Sequence, residues 1–409
     1  MTMPQQSRPS KHCTRRCELL MAAKQNIRFG LIGCGLMGRY FAIATKQWGM
    51  LRGSLPTPQI VGACDPQPAN LAWFESNVET LREPTADYRV LLAREDIDAI
   101  YCAVPHHLHA EIYVDTIRAG KHLMAEKPFG IDLAANRRIM AAVAEHPELL
   151  VRVSSEFPFY PGAQRIAAAV REGRFGTMIE VRSGFLHSSD LDPNKPINWK
   201  RRVALNGEYG CLGDLGLHAV HMPFRFGWRP LNVRALLNKI FAERPDDKGE
   251  MVPSETWDNA ILATEAEADG KRFPLLIETK RIAPGETDTW YLTVLGSRHS
   301  ASFTTKYPRT LSTLDYQPGA EQAWRITDLG YAGAYPTVAD GIFEFGFTDA
   351  ILQMWAAFVD ELVNRDSMQQ PFSCATPHEA ELSHQLFTAA LESQRTEQVV
   401  GLATAEARA

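Results

Sequence analysis

No stretch of the sequence reaches the ~18 consecutive apolar residues that a membrane-spanning helix needs, so no segment reads as transmembrane. Excess base is also missing. The 43 lysines and arginines face 48 acids, a formal net charge of −5, which argues against the electrostatic footprint of a nucleic-acid binder. Cysteine is sparse: seven are scattered at positions 13, 17, 34, 64, 102, 211 and 374. An odd count at wide spacing suits reduced thiols in a cytoplasm, not a disulfide framework. The histidines lack ligand spacing supported by other ligands, so no metal site is expected. There is no internal repeat and no low-complexity tract. Residues 1–24 are polar. Thr14-Arg15-Arg16 faintly resembles an export signal, but residues 18–23 are too short an apolar region for one, and a disordered tail is expected there.

Against these absences stands one ordered pattern near the start. Residues 27–32 are a short apolar run that reads as a buried strand. It ends in Gly33-x-Gly35-x-x-Gly38, and a helix-like stretch follows from Arg39 to Trp48. Strand, glycine turn and helix come in the order a dinucleotide site requires. The first glycine permits the tight turn. The second lets a pyrophosphate approach the backbone across Leu36 and Met37. The third lets the helix pack on the strand, and the helix N-terminus offers free N–H groups to the phosphates.

At 409 residues the chain is too long for one ordinary core, so two domains are expected. Over residues 25–153 strands and helices alternate, which predicts a doubly wound parallel sheet. Ligands in such sheets sit beyond the C-terminal ends of the strands. Asp65, Val104, Pro105, His106, His109, Glu126 and Lys127 all fall there. Asp65 closes the second strand, where an acid can accept from ribose hydroxyls and repel a 2′-phosphate. NAD is therefore expected, with NADP as the other candidate. From 154 to 409 successive strand-like stretches lack intervening helices. They predict an α+β second domain with a large, mostly antiparallel sheet. The open face of that sheet, with residues 292–295 among its strands, would leave apolar area that a homodimer or homotetramer buries.

Chemistry concentrates in Asp214-Leu-Gly216-Leu-His218. On a helix starting near Leu212, Asp214 and His218 lie one turn apart on one face. A carboxylate beside an imidazole can orient it and hold its pKa near neutral. Oxidising a hydroxyl needs such a base for the O–H proton while the carbon gives up hydride. Lys127 can hydrogen-bond the same oxygen and stabilise alkoxide charge.

Together, several motifs carry a resemblance. They are the glycine turn, Cys64-Asp65-Pro66, residues 98–105 with His109, residues 119–128 ending in Glu126-Lys127-Pro128, and Asp214-x-Gly216-x-His218. With these the chain resembles the Gfo/Idh/MocA oxidoreductases, named for glucose-fructose oxidoreductase and inositol dehydrogenase, over roughly residues 25–395. The resemblance implies an N-terminal Rossmann domain, a C-terminal domain on a large open antiparallel sheet, NAD(P) in the cleft, and polyols or sugars as substrates. It matches Lys127, Asp214 and His218 to the family's catalytic lysine, acid and histidine. It matches Trp199 and Lys200 to a substrate-facing position of some members. His106, Ser155-Glu156-Phe157 and His221 depart from the family pattern on the substrate side. The expected activity is NAD(H)-dependent oxidation of a secondary alcohol of a sugar, cyclitol or glycoside. Two alternatives stay open: a redox-neutral enzyme that keeps NAD bound, cleaving a glycoside through a keto intermediate, and a non-catalytic nucleotide sensor.

Overall fold

A computed structural model describes residues 26–402 apart from 340 and 371. The tail expected over residues 1–24 lies outside the described residues. β1 (Asn26–Ile32) is an interior strand of the first layer, and Ile27, Phe29 and Leu31 on it have no solvent exposure. It is flanked in parallel by β2 (Thr57–Cys64) and β3 (Ala99–Cys102). β4 (His122–Ala125) and β5 (Val151–Val153) extend the sheet in parallel to give the order β2-β1-β3-β4-β5. Every residue of β3 and β4 is buried, as expected of strands covered on both faces.

The helices between these strands are α1 (Leu36–Gln47), α2 (Pro68–Asn77), α3 (Tyr88–Leu92), α4 (His109–Arg118) and α5 (Leu133–Glu145). Two begin on aspartates that cap a free N–H: Asp87 accepts from Arg89 N at 3.0 Å and Asp132 from Ala135 N at 2.7 Å. α1 starts three residues earlier than the expected Arg39, because Gly35 itself is its N-cap. The glycine turn and the helix therefore share residues.

α6 (Pro161–Arg171) leads into the second layer. There β6 (Met178–Leu186), a short α7 (Val203–Asn206) and α8 (Cys211–Arg225) precede a run of strands. These are β7 (Arg229–Pro230), β8 (Asn232–Asn238), β9 (Glu243–Pro245), β10 (Met251–Pro253), β11 (Asn259–Ala268) and β12 (Lys271–Lys280). β13 (Thr289–Gly296), β14 (His299–Thr304), β15 (Thr310–Asp315) and β16 (Arg325–Asp328) follow. Helices α9 (Phe347–Asn364) and α10 (Pro377–Thr396) precede the terminal β17 (Val400–Gly401).

The large sheet has the order β16-β15-β14-β13-β6-β12-β11-β8-β17. Its neighbours are antiparallel except β6 and β12, which run parallel from Val181 and Leu275. β11 and β12 turn on Asp269-Gly270, both at positive φ (51° and 70°), a hairpin geometry those two residue types favour. The sequence pattern missed β16: its four residues are all exposed, so no alternation of apolar and polar residues marks it. Leu292 and Val294 point into the core, and their neighbours Thr293 and Leu295 are only half-buried on the other face. The open face is thus less apolar than residues 292–295 suggested.

The end of the chain returns to the first layer. Trp355 on α9 stacks on Phe41 with ring centroids 3.9 Å apart, and it meets Phe29 and Tyr101 edge-on. Val153 N donates to Ala375 O at 2.8 Å, which covers the edge of β5. α8 and α10 cross where Gly216 leaves room for a ring: a Cβ there would lie 2.3 Å from Phe387 Cζ. No helix among the described residues is long and apolar enough to cross a membrane.

Candidate active site

One cavity of about 1210 Å³ runs from the glycine turn, past the C-terminal ends of the parallel strands, to α8 and the start of the large sheet. It exceeds the roughly 300–1,000 Å³ typical of a single small-ligand pocket, so it has room for a dinucleotide and a small substrate. The three glycines divide their work as their spacing implies. Gly33 has φ +95°, and a Cβ there would strike Ala103 O at 2.3 Å. At Gly35 a Cβ would meet no protein atom within 4 Å, so the turn is open on the cavity side. At Gly38 it would strike Gly33 O at 2.5 Å and crowd Leu31. The turn fits a pyrophosphate: it combines open backbone, a helix N-terminus and no acid in the first turn of α1.

Asp65 lies on the cavity wall and is nearly buried. Its carboxylate accepts from Cys34 N at 2.9 Å, Gln67 N at 2.8 Å and Asn70 Nδ2 at 3.2 Å. A carboxylate has about four acceptor sites, so these donors fix its orientation and leave room for a ribose hydroxyl. The Cys34 bond also ties the acid to the glycine turn.

Leu36, Met37, Val104, Pro105, His106, Glu126 and Lys127 line the same cavity. His109 does not. Its ring is wholly buried, with Nδ1 2.7 Å from Pro128 O and Nε2 2.9 Å from Val104 O. Burial keeps the ring neutral, with one N–H to give to one of these two carbonyls, so the expectation that it touches cofactor gives way to a buried position packed between the loops after β3 and β4. His106 Nδ1 lies 3.3 Å from Asn206 O. Glu126 accepts from the Tyr101 hydroxyl at 2.7 Å, and burial raises its pKa.

Asp214 is at the centre of the far end. Lys127 Nζ donates to its carbonyl at 2.5 Å and to Oδ1 at 3.1 Å. Lys200 Nζ donates to Oδ1 at 2.9 Å and Oδ2 at 3.1 Å, and Arg281 Nη1 donates to Oδ2. Burial alone would push the Asp214 carboxyl up, but Lys127, Lys200 and Arg281 outweigh it and hold it well below the usual range. Burial brings Lys200 down to about 8, against the pull of Asp214. Behind Arg281 the charges continue: its Nε donates to Asp190 at 2.8 Å, and buried Arg201 bridges Asp190 and Asp258 at 2.6 and 2.8 Å. Fixed in this way, Arg281 and Asp214 have little freedom to move.

His218 sits one turn beyond Asp214 on α8, and it lines the cavity. The expected contact between the two is absent among the described residues. Every strong donor near Asp214 is a cation, and Nδ1 of His218 faces Ser155 Oγ at 3.3 Å instead. Nor is the ring held near neutral pKa. Burial, with help from Lys127, pushes it well below the ordinary histidine value. Phe157 and Phe185 pack edge-on against it, with centroids 5.1 and 5.2 Å away.

Trp199 and Lys200 both line the cavity, with Trp199 edge-on to His106 at 4.9 Å. His221, placed by the sequence on the substrate side, is instead a buried residue of α8 that does not line the cavity, its Nε2 3.1 Å from Arg225 Nη2. Motif spacing missed His187, Arg281 and Asp288, which also line the cavity, as does Glu156, noted from the sequence only as a departure from the family pattern. Glu156 follows the end of β5, so the rule placing ligands beyond strand ends was its available signal. Arg281 and Asp288 flank strands of the second sheet, and no local pattern sets them apart.

The family models agree with this arrangement. One for an oxidoreductase family with an NAD-binding Rossmann fold matches residues 27–154, and one for the GFO/IDH/MocA C-terminal domain matches residues 163–302. The chain belongs to the GFO/IDH/MocA family of oxidoreductases. It is 28% identical over 228 residues to a levoglucosan dehydrogenase of Pseudarthrobacter phenanthrenivorans, 55% of this chain and 57% of that protein. It is 32% identical over 197 residues to a dTDP-3,4-didehydro-2,6-dideoxy-alpha-D-glucose 3-reductase of Actinomadura kijaniata, 47% of this chain and 54% of that one. An inositol 2-dehydrogenase of Pseudomonas fluorescens is 26% identical over 180 residues, 44% and 50% of the two chains. These matches span about half of each relative's length. Among solved structures, a levoglucosan dehydrogenase in complex with NADH and levoglucosan gives a TM-score of 0.83 at 23% identity, covering 93% of this chain and 100% of that one. An NAD-binding oxidoreductase from Klebsiella pneumoniae gives 0.80 at 22%, with 93% and 100% covered. At these identities the likeness is one of fold.

Proposed function

We propose that this chain is an NAD(H)-dependent dehydrogenase acting on a secondary alcohol of a sugar, cyclitol or glycoside. The observation that carries the proposal is that Lys127 and His218 share one cavity with the glycine turn. The nicotinamide, when bound, supplies the hydride acceptor. The protein's own side chains do the rest. His218, kept neutral by burial, takes the hydroxyl proton at Nε2, the ring nitrogen other than the one that faces Ser155. Lys127 donates to the reacting oxygen and stabilises the charge that grows on it. Asp214 fixes the ammonium of Lys127 through two hydrogen bonds. Trp199 offers a flat wall for a ring, and Lys200, Arg281 and Asp288 offer charged partners for its other hydroxyls.

Such a mixture suits a polyol, and the names of the relatives, levoglucosan and inositol dehydrogenases, favour the same class. We place the domain division at residue 153/154. A homodimer or homotetramer would use the open face of the large sheet, and a cytoplasmic location fits the five buried, unpaired cysteines described at 34, 64, 102, 211 and 374.

The test is a panel of sugars and cyclitols with NAD and with NADP, followed at the reduced-nicotinamide absorbance. On the substrate so found, His218→Ala should lower turnover by about 10²–10⁴-fold with NAD binding unchanged. Near-normal turnover in that variant would remove His218 from the base role.

A further inference from the structure

The ring of His218 lacks the acid that was expected to orient it, yet another acid stands beside it. Glu156 Oε2 lies 3.9 Å from His218 Nδ1, the nitrogen that Ser155 Oγ approaches at 3.3 Å. Glu156 is 4% exposed and forms part of the cavity wall, and Oε2 has no hydrogen-bond partner among the described residues. A buried polar atom without a partner calls for an explanation. The imidazole, 3.9 Å away, is a donor within short reach of it.

We propose that Glu156 is the positioning residue of His218: ionised, it draws up to Nδ1–H, holds the tautomer that leaves Nε2 free as the base, and takes the Nδ1 proton onward. This rests on the proposed function above. The balance is simple. The alcohol O–H breaks and its proton bonds to Nε2. The Nδ1–H breaks and its proton bonds to the Glu156 carboxylate. The C–H electron pair leaves as hydride for the nicotinamide, so the alcohol becomes a ketone, and the Glu156 proton later passes to water in the cavity.

The surroundings make Glu156 suited to carrying a proton. Burial lifts its pKa to about 8, and the carboxylates of Glu126 and Asp288 add to the lift. Lys127, just beyond the end of β4, acts in the opposite direction. Tyr101 on β3 and Tyr160 beyond β5 also face this carboxyl and remain neutral, since burial raises both. From α8 the group facing it is His218, which stays neutral. Glu156 is thus the acid beside the base that changes charge close to neutral pH. A serine alone can donate to Nδ1 or accept from it, and so it does not choose the tautomer.

The test follows the nitrogen NMR signals of the histidine-labelled full chain from about pH 6 to about 10, with and without NAD, spanning the histidine and lysine ranges. His218 is assigned from the signals lost in His218→Ala. The His218 nitrogens should shift with a midpoint near 8, carrying the proton on Nδ1 above it. In Glu156→Gln that step should vanish, and Glu156→Asp should restore part of it. With a substrate in hand, Glu156→Gln should lower kcat about tenfold or more and remove its alkaline rise, with KM for the sugar little changed. A wild-type His218 signal that ignores pH near 8 overturns the coupling, as does a Glu156→Gln signal that titrates like wild type. If the step vanishes in Glu156→Gln while no sugar or cyclitol reduces NAD, the proposed function fails and the coupling of Glu156 to His218 stands.

Discussion

Two alanine substitutions three residues apart in the glycine turn should fail in opposite ways. At Gly35 a Cβ has no protein atom within 4 Å, and φ of −76° suits any residue. Gly35→Ala should therefore fold as the parent does, with a thermal midpoint lowered by no more than about 2 degrees for the poorer N-cap residue. The added methyl instead occupies the space through which a pyrophosphate reaches the backbone. Overfilling a packed contact costs about 1–3 kcal/mol, and here the cost falls on the bound complex. The dissociation constant for NADH should rise by about 5- to 150-fold, at 1.4 kcal/mol per factor of ten. At Gly38 the methyl meets Gly33 O at 2.5 Å and the Leu31 side chain at 3.2 Å. The same cost then falls on folding, and Gly38→Ala should lower the thermal midpoint by several degrees. NADH titration by fluorescence and a thermal scan on each variant complete the comparison. Unchanged NADH affinity in Gly35→Ala would refute the placement of the pyrophosphate over this turn.

Other expectations are as specific. The parent should bind NAD more tightly than NADP, and Asp65→Ser with a basic neighbour added should narrow the ratio; equal affinities in the parent would sink that role for Asp65. Between about pH 4.5 and 8 the folded chain holds a Glu156 proton that the unfolded chain gives up, so that contribution to stability falls as pH rises through the window. Glu156→Gln should flatten the fall in thermal midpoint over that range, and identical slopes would place the carboxyl's titration elsewhere. Gly216→Ala forces a Cβ against Phe387 and should shift α8 with Asp214 and His218 on it, lowering stability and kcat together; loss of neither would mean that α10 gives way freely.

Local physics explains what was legible before the chain was folded. A strand, a glycine turn and a helix are all defined by neighbours in sequence, so Gly33, Gly35, Gly38 and Asp65 could be placed at the ends of the strands from local pattern alone. The parallel first sheet and the mostly antiparallel second sheet were read from whether helices intervene between successive strands, which is also a local pattern. Lys127, Asp214 and His218 could be named because each sits in a motif at a strand end or on one helix turn. What spacing could not decide was which of them touch. Asp214 and His218 lie four residues apart, yet Lys127, Lys200 and Arg281 arrive from 87, 14 and 67 residues away and take the carboxylate. The imidazole instead meets Ser155 and Glu156, across more than sixty residues of chain. His109 looked like a cofactor residue, but its ring is wholly buried between the Pro128 and Val104 carbonyls and does not line the cavity. Burial then set the charge states, lowering His218 and raising Glu156, and burial is a property of the assembled layers. The sequence determined which chemical groups lie near the strand ends, since that depends on period and spacing. Only the tertiary structure decided how they pair and which hold their protons, since those depend on distances and solvent exclusion between segments remote in the chain.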